Sequence, residues 1–314
     1  MSYDLNGKRV FVAGHRGMVG SAIVRRLERE GCAVLMATRS ELDLKNQTMV
    51  QTWFESQKPD AVFLAAAKVG GIYANDTFPA DFLYDNLMIE ANIIKAAFDV
   101  HVEKLLFLGS SCIYPKLATQ PIKETALLEG ALEPTNEWYA IAKIAGIKLC
   151  QAYSKQHGVD FISAMPTNLY GTGDNFNLKT SHVLPAMIRK IDEAKMADDA
   201  SVTMWGTGTP LREFMHADDC ADALVFLMQN YSGYEHVNIG SGQEVSIIEL
   251  MQLIARLSNY AGQIVTDPSK PDGTPRKLMD STKLADLGWQ ASIPLEDGII
   301  SAIKYYQTIK VSLS

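Results

Sequence analysis

Arg9-Val-Phe-Val-Ala13-Gly14-His15-Arg16-Gly17-Met18-Val19-Gly20 is the stretch that decides the fold. Residues 9–13 read as a strand, and residues 18–30 carry apolar side chains at helical spacing. Three glycines sit between them, spaced GxxGxxG. Such a turn lets backbone N–H groups approach a pyrophosphate, and the helix N-terminus behind it favours the negative charge. Glycine-rich turns are common, so the motif alone is weak. Its place in a β-α-β unit makes a dinucleotide site the expectation.

The same rhythm runs outward from this unit. Strands are expected over 33–37, 61–64, 104–108 and 161–165, the last ended by Pro166. Helices are expected near 46–57, 80–100 and 137–157. Alternation of this kind predicts an α/β fold, a Rossmann-type doubly wound parallel sheet over residues 1–170. Beyond Tyr170 the rhythm loosens into a loop over 171–179. Helices near 181–195, 217–229 and 247–257 follow, with strands over 202–205, 237–239 and 264–266 and a Pro/Gly-rich loop over 267–276. Residues 171–314 are therefore read mainly as a smaller α/β substrate-binding domain, with the chain returning to the sheet near 214–239.

Bulk properties narrow the function classes. The chain has 314 residues, 47% of them hydrophobic, and a net charge of −7. An acidic balance argues against a nucleic-acid or anionic-membrane surface. No apolar run approaches a membrane span, and the first residues lack the apolar core of a signal peptide. Cys32, Cys112, Cys150 and Cys220 are scattered without a CxxC pair, which predicts reduced thiols in a cytoplasmic protein and no metal site.

The end of the second strand decides the cofactor. An acid there would bond the ribose 2′-hydroxyl of NAD. This chain has Arg39, and with Arg16 it can clamp a 2′-phosphate, so NADP(H) is expected; Glu41 and Asp43 lie close by. Chemistry is indicated by Leu108-Gly109-Ser110-Ser111-Cys112 at a strand end, and by Tyr139-Ala-Ile-Ala-Lys143 on a helix. Residues four apart share a helix face. Ser110 and Tyr139 would bond and protonate a carbonyl oxygen under reduction, while Lys143 lowers the phenol's pKa and holds the nicotinamide ribose. Cys112 is a thiol at the same strand end, a base or nucleophile if its pKa is lowered. A YxxxK pair on its own is usually surface decoration. Behind a glycine turn and a strand-end Ser-Ser it points to hydride transfer.

These motifs resemble the extended short-chain dehydrogenase/reductase family of nucleotide-sugar enzymes. The resemblance extends through Ala65-Ala-Ala-Lys-Val-Gly-Gly-Ile72, Pro134-Thr-Asn-Glu137, Met165-Pro-Thr-Asn-Leu-Tyr-Gly171, Ser181-His182, Trp205-Gly206 and Lys270-Pro-Asp-Gly-Thr-Pro-Arg276. It implies an NADPH-dependent 3,5-epimerase and 4-reductase acting on GDP-4-dehydro-6-deoxy-D-mannose. Cys112 would be the base and His182 the acid on opposite faces of the sugar, where protons α to a carbonyl are acidic. It places Gly14, His15, Arg16, Gly17, Met18, Val19, Gly20, Arg39, Leu108, Gly109, Ser110, Ser111, Lys143, Pro166, Thr167, Asn168, Leu169 and His182 around the cofactor. It places Lys190, Trp205, Arg212 and Asp272 around the GDP-sugar. A homodimer built from the long helices near 80–100 and 137–157 is also implied. A relative acting on a different sugar, or an NADP-binding sensor without turnover, would share the fold. The sensor would be expected to lose Tyr or Lys of YxxxK, and both are kept.

Overall fold

The computed structural model describes residues 2–178, 180–270 and 272–313. Lys179 of the expected 171–179 loop and Pro271 of the 267–276 segment lie outside them. Strand β1 (Arg9–Ala13) is followed across the glycine turn by α1 (Met18–Leu27), then β2 (Ala33–Leu35), α2 (Gln47–Gln57) and β3 (Ala61–Leu64). Helices α3 (Ile72–Thr77) and α4 (Pro79–Asp99) lead to β4 (Lys104–Leu108), and α5 (Glu137–His157) leads to β5 (Asp160–Pro166). Then come β6 (Asn168–Tyr170), α6 (Val183–Met196), β7 (Ser201–Trp205), β8 (Leu211–His216), α7 (Ala217–Asn230) and β9 (Val237–Ile239). The chain finishes with β10 (Glu244–Ser246), α8 (Ile247–Leu257), β11 (Gln263–Asp267), β12 (Arg276–Lys277), α9 (Thr282–Asp286) and α10 (Leu295–Ile309).

Six strands form a parallel sheet in the order β2-β1-β3-β4-β5-β9. Every residue of β3 and β4 is buried, as strands covered on both faces must be. On one face α1 and α7 pack Ile23, Leu27, Leu224 and Met228 against the sheet. On the other, α2, α4 and α5 contribute Phe54, Ile93, Ala97 and Ile147. The chain turns from β1 to β2 on one side and to β3 on the other. The crevice at the carboxyl ends of β1 and β3 is thus the point where the winding reverses, the place where such sheets bind ligands.

A third core joins α6, α8 and α10 around Leu184, Ile188, Leu250, Ile254, Ile299 and Tyr306. Strand β8 lies outside the six-stranded sheet and pairs with β6, β10 and β12 in a second one, joined to the first where β6 follows β5.

Several expected boundaries move, for physical reasons. The second strand stops at Leu35, at the sheet's edge, and Met36 is exposed. Pro166 does not end the extended chain. It closes β5, Thr167 N–H donates to the Ile239 carbonyl (2.9 Å), and the backbone runs on as β6 against a different neighbour. Helix α6 begins at Val183, two residues later than expected, so His182 is its N-cap residue. Neither β8 nor α10 is among the elements expected above. In β8 a charged residue, Glu213, is fully buried because its carboxylate accepts N–H bonds from Gly242 (2.7 Å) and Met279 (3.1 Å).

Candidate active site

A cavity of about 1980 Å³ opens at the carboxyl ends of β1, β3, β4 and β5 and runs under the second lobe. Single small ligands usually occupy about 300–1000 Å³, so there is room for a dinucleotide and a nucleotide sugar together. All the site residues expected from the sequence line this one cavity.

The glycine turn forms its floor. Gly14 has φ +89°, and a Cβ there would lie 2.8 Å from the Ala66 backbone. A Cβ at Gly20 would lie 2.0 Å from the Gly14 carbonyl oxygen, so α1 can approach β1 this closely only without a side chain. Gly17 N–H donates to the Gly14 carbonyl (2.9 Å), closing the turn. At the end of β2, Arg39 is exposed on the cavity wall, as is Arg16 from the turn. Neither is in an ion pair among the described residues. The nearby acids are engaged locally. Glu41 accepts from the backbone N–H (2.7 Å) and hydroxyl (2.8 Å) of Thr38, which holds its carboxyl below the usual range. Asp43 accepts from Lys45 N–H (3.1 Å). Among the described residues the wall thus offers two guanidiniums outside any ion pair, with Glu41 turned to Thr38, a setting that fits a 2′-phosphorylated dinucleotide.

The reacting groups stand where β4 ends. Ser110 caps a single 3₁₀ turn, Ser111–Ile113, its hydroxyl accepting from Cys112 N–H at 3.5 Å. Tyr139 and Lys143 project from the first turns of α5. The Lys143 ammonium is buried, donates to the Leu108 carbonyl (3.0 Å), pairs with Glu90 (3.0 Å) and lies 5.9 Å from the centre of the Tyr139 ring. Burial pushes the Tyr139 phenol well above its ordinary pKa, the neighbouring Cys112 and Glu90 add to that, and a hydrogen bond from Ser110 opposes it. Burial likewise raises the Cys112 thiol, against Lys277, Ser110 and Lys143.

His182 faces the cavity from the N-terminus of α6. Its ring is exposed toward the cavity yet surrounded by protein walls, and this desolvation lowers the imidazole pKa. In the free site both thiol and imidazole are thus held neutral. The loop before His182 is tied across the cavity, with Gly71 N–H donating to the Thr180 carbonyl (3.0 Å).

In the second lobe Trp205 is 63% exposed, and Lys190 and Lys270 lie 5.0 and 5.7 Å from its ring centre. Arg212 lines the same wall, its pKa lowered by burial against the pull of Asp272. Asp272 itself accepts from the Thr207 N–H (2.7 Å) and hydroxyl (2.9 Å), fixing the turn after Trp205. The Asn168 amide donates to the Glu213 carbonyl (2.8 Å).

The structure adds cavity residues that the sequence reading did not single out. Lys277 on β12 stands near Cys112, its own pKa lowered by burial and supported by that thiol. Asn75, Asn136 and Ser181 each line the cavity with a buried side-chain oxygen that has no partner among the described residues. Asn136 and Ser181 fall inside motifs already noted. Asn75 carries no sequence signal, since an asparagine on a short helix reads as surface.

Residues 10–240 match the NAD dependent epimerase/dehydratase family. The chain is 60% identical to a GDP-L-fucose synthase of Sinorhizobium fredii, over 97% of each chain. It is 54% identical to the GDP-L-fucose synthase of Escherichia coli K12, over 96% of this chain and 97% of that one. A crystal structure of a GDP-L-fucose synthetase from Naegleria fowleri bound to NADP superposes with a TM-score of 0.89 at 28% identity, covering 98% of this chain and 96% of the other. On this match across most of its length, the chain belongs to the NAD dependent epimerase/dehydratase family.

Proposed function

We propose that this chain is an NADPH-dependent 3,5-epimerase and 4-reductase that converts GDP-4-dehydro-6-deoxy-D-mannose to GDP-L-fucose. What carries the reading is that Ser110, Cys112, Tyr139, Lys143 and His182 line one cavity in a chain 60% identical to a GDP-L-fucose synthase. Residues 1–170, with the return near 214–239, hold NADP(H), and residues 171–314 mainly hold the sugar nucleotide.

The bound dinucleotide supplies a hydride for C4. The chain's own residues do the rest. At C3 and C5 in turn, Cys112 removes the proton and His182 returns one from the opposite face, the thiol losing its proton to solvent and the imidazole regaining one from it between the two inversions. Lys277 favours the thiolate, and the negative charge of a bound diphosphate favours the imidazolium, so substrate relieves the neutrality of the free pair. Ser110 and Tyr139 bond the C4 oxygen as it becomes an enolate, and Tyr139 later gives it a proton. Arg212 and Lys190 meet the diphosphate, and Trp205 offers a stacking face.

The exposed sides of α4 and α5, which pack on each other, carry Tyr84, Trp138 and Ile141, and a second copy of the chain covers them in a homodimer. The four free cysteines support a cytoplasmic setting. Among the described residues no helix is long and apolar enough to cross a membrane. NADPH oxidation measured against a panel of GDP-, UDP- and dTDP-linked 4-keto sugars tests the assignment. Turnover is expected with the GDP-4-keto-6-deoxy sugar, and preference for another nucleotide would refute it.

A further inference from the structure

Glu90 sits in the middle of α4 with its side chain 2% exposed, facing a Lys143 side chain that is equally buried, at 3.0 Å. The chain makes room for it. Gly146 lies one turn beyond Lys143, and a Cβ there would come 2.9 Å from Glu90 Oε2 and 2.4 Å from the Phe107 ring. Nothing in the chemistry above uses a buried acid at this place. A lone ammonium beside Tyr139 would lower the phenol's pKa and favour a tyrosinate, the form that takes a proton when an alcohol is oxidised. Reduction of a ketone needs the opposite form, a phenol that still holds its proton.

We propose that Glu90 is a positioning residue whose carboxylate offsets the Lys143 charge at Tyr139, so that the ammonium does not undo what burial does and the phenol keeps its proton for donation. This rests on the reading of Tyr139 as the proton donor. Among the described residues, Lys143 is the one charged group facing Glu90. From α5 the neutral titratable groups Tyr139 and Cys150 also feel it, and Cys112, on the turn after β4, acts on Tyr139. Strand β4 presents the Phe107 ring and the Leu108 carbonyl, and α2 presents Val50 and Phe54 to the same core. Burial raises the Glu90 carboxyl's own pKa, and the ammonium at 3.0 Å opposes that. With both groups shut off from water, their fields at Tyr139 are little screened.

The test is an ultraviolet titration of tyrosinate with NADP⁺ bound, the Tyr139 signal being the part lost in Tyr139→Phe. Glu90→Gln should lower that midpoint by about one unit or more, and lower the alkaline limb of kcat/KM for NADPH oxidation with it. An unchanged midpoint would overturn the proposal. Should Glu90→Gln fail to fold, Glu90→Met combined with Lys143→Met replaces the pair by apolar groups, a change buried pairs commonly tolerate. If the two charges cancel, this double variant titrates like the wild type. A midpoint raised by about one unit would mean that Lys143 acts uncancelled, and would equally overturn it. The titration needs no sugar substrate, so failure of the GDP-sugar assignment leaves it readable.

Discussion

Cys112 and Tyr139 divide the proposed reaction between them, and substitution should separate its halves. Tyr139→Phe is expected to slow NADPH oxidation by about 10²–10⁴-fold, the usual contribution of a positioned proton donor, while exchange at C3 and C5 persists. Cys112→Ala is expected to do the reverse, abolishing exchange of those protons with deuterated solvent. Proton NMR of the sugar, with absorbance of NADPH, follows both. Near-normal oxidation by Tyr139→Phe would contradict the role given to the phenol. The positions of these groups were readable from the sequence because the spacing is local. Tyr139 and Lys143 are four apart on one helix, and Ser110 and Cys112 follow a strand end. Glu90 was not readable. It lies 53 residues before Lys143, and an acid among the residues of a long helix reads as surface charge until packing shows it 2% exposed.

At the scale of elements, the turn that carries Ser110 and Cys112 is clamped to the sheet by its next residues. The Tyr114 hydroxyl donates to Asn238 Oδ1 (2.5 Å) and meets His236 Nε2 (2.9 Å), and Asn238 also donates to the Ile122 carbonyl (2.9 Å). Burial holds the His236 imidazole down at about 4. Its folded pKa lies below the unfolded value near 6.5, so between the two the unfolded chain binds more protons. The stability linked to it is therefore full above about pH 6.5 and is lost as pH falls toward 4, about 3 kcal/mol in all. Urea midpoints measured from pH 7 down to 4.5 should fall more steeply for the wild type than for His236→Gln, and parallel curves would reject this. Strands β1, β3 and β4 were legible because burial on both faces makes them continuous apolar runs. Strand β8 was not, because Leu-Arg-Glu-Phe-Met-His has no such run and the burial of Glu213 depends on donors far away in sequence, among them the Gly242 and Met279 N–H groups. Helix α10 announces itself weakly, by Pro294 and the acids Glu296 and Asp297 in its first turn.

The whole molecule places one cavity between the sheet and the lobe built from α6, α8 and α10, and leaves an apolar face on α4 and α5. If a second copy covers that face, Tyr84→Glu with Ile141→Lys should convert the protein to a monomer in light scattering. A wild type that is already monomeric would contradict the dimer. That the two lobes share a cavity could not be read from periodicity, because Arg212 and Lys277 reach it through pairing of β8 with β12, 65 residues apart in sequence at Arg212 and Lys277. The reaction proposed for this chain joins two inversions and one reduction in a single cavity. It is tested most directly by incubating the wild-type protein with GDP-4-dehydro-6-deoxy-D-mannose and NADPH in deuterated water and identifying the product by NMR. The expected product is GDP-L-fucose carrying solvent deuterium at both C3 and C5 and none at C4. A product reduced at C4 but with C3 and C5 uninverted and unlabelled would contradict it.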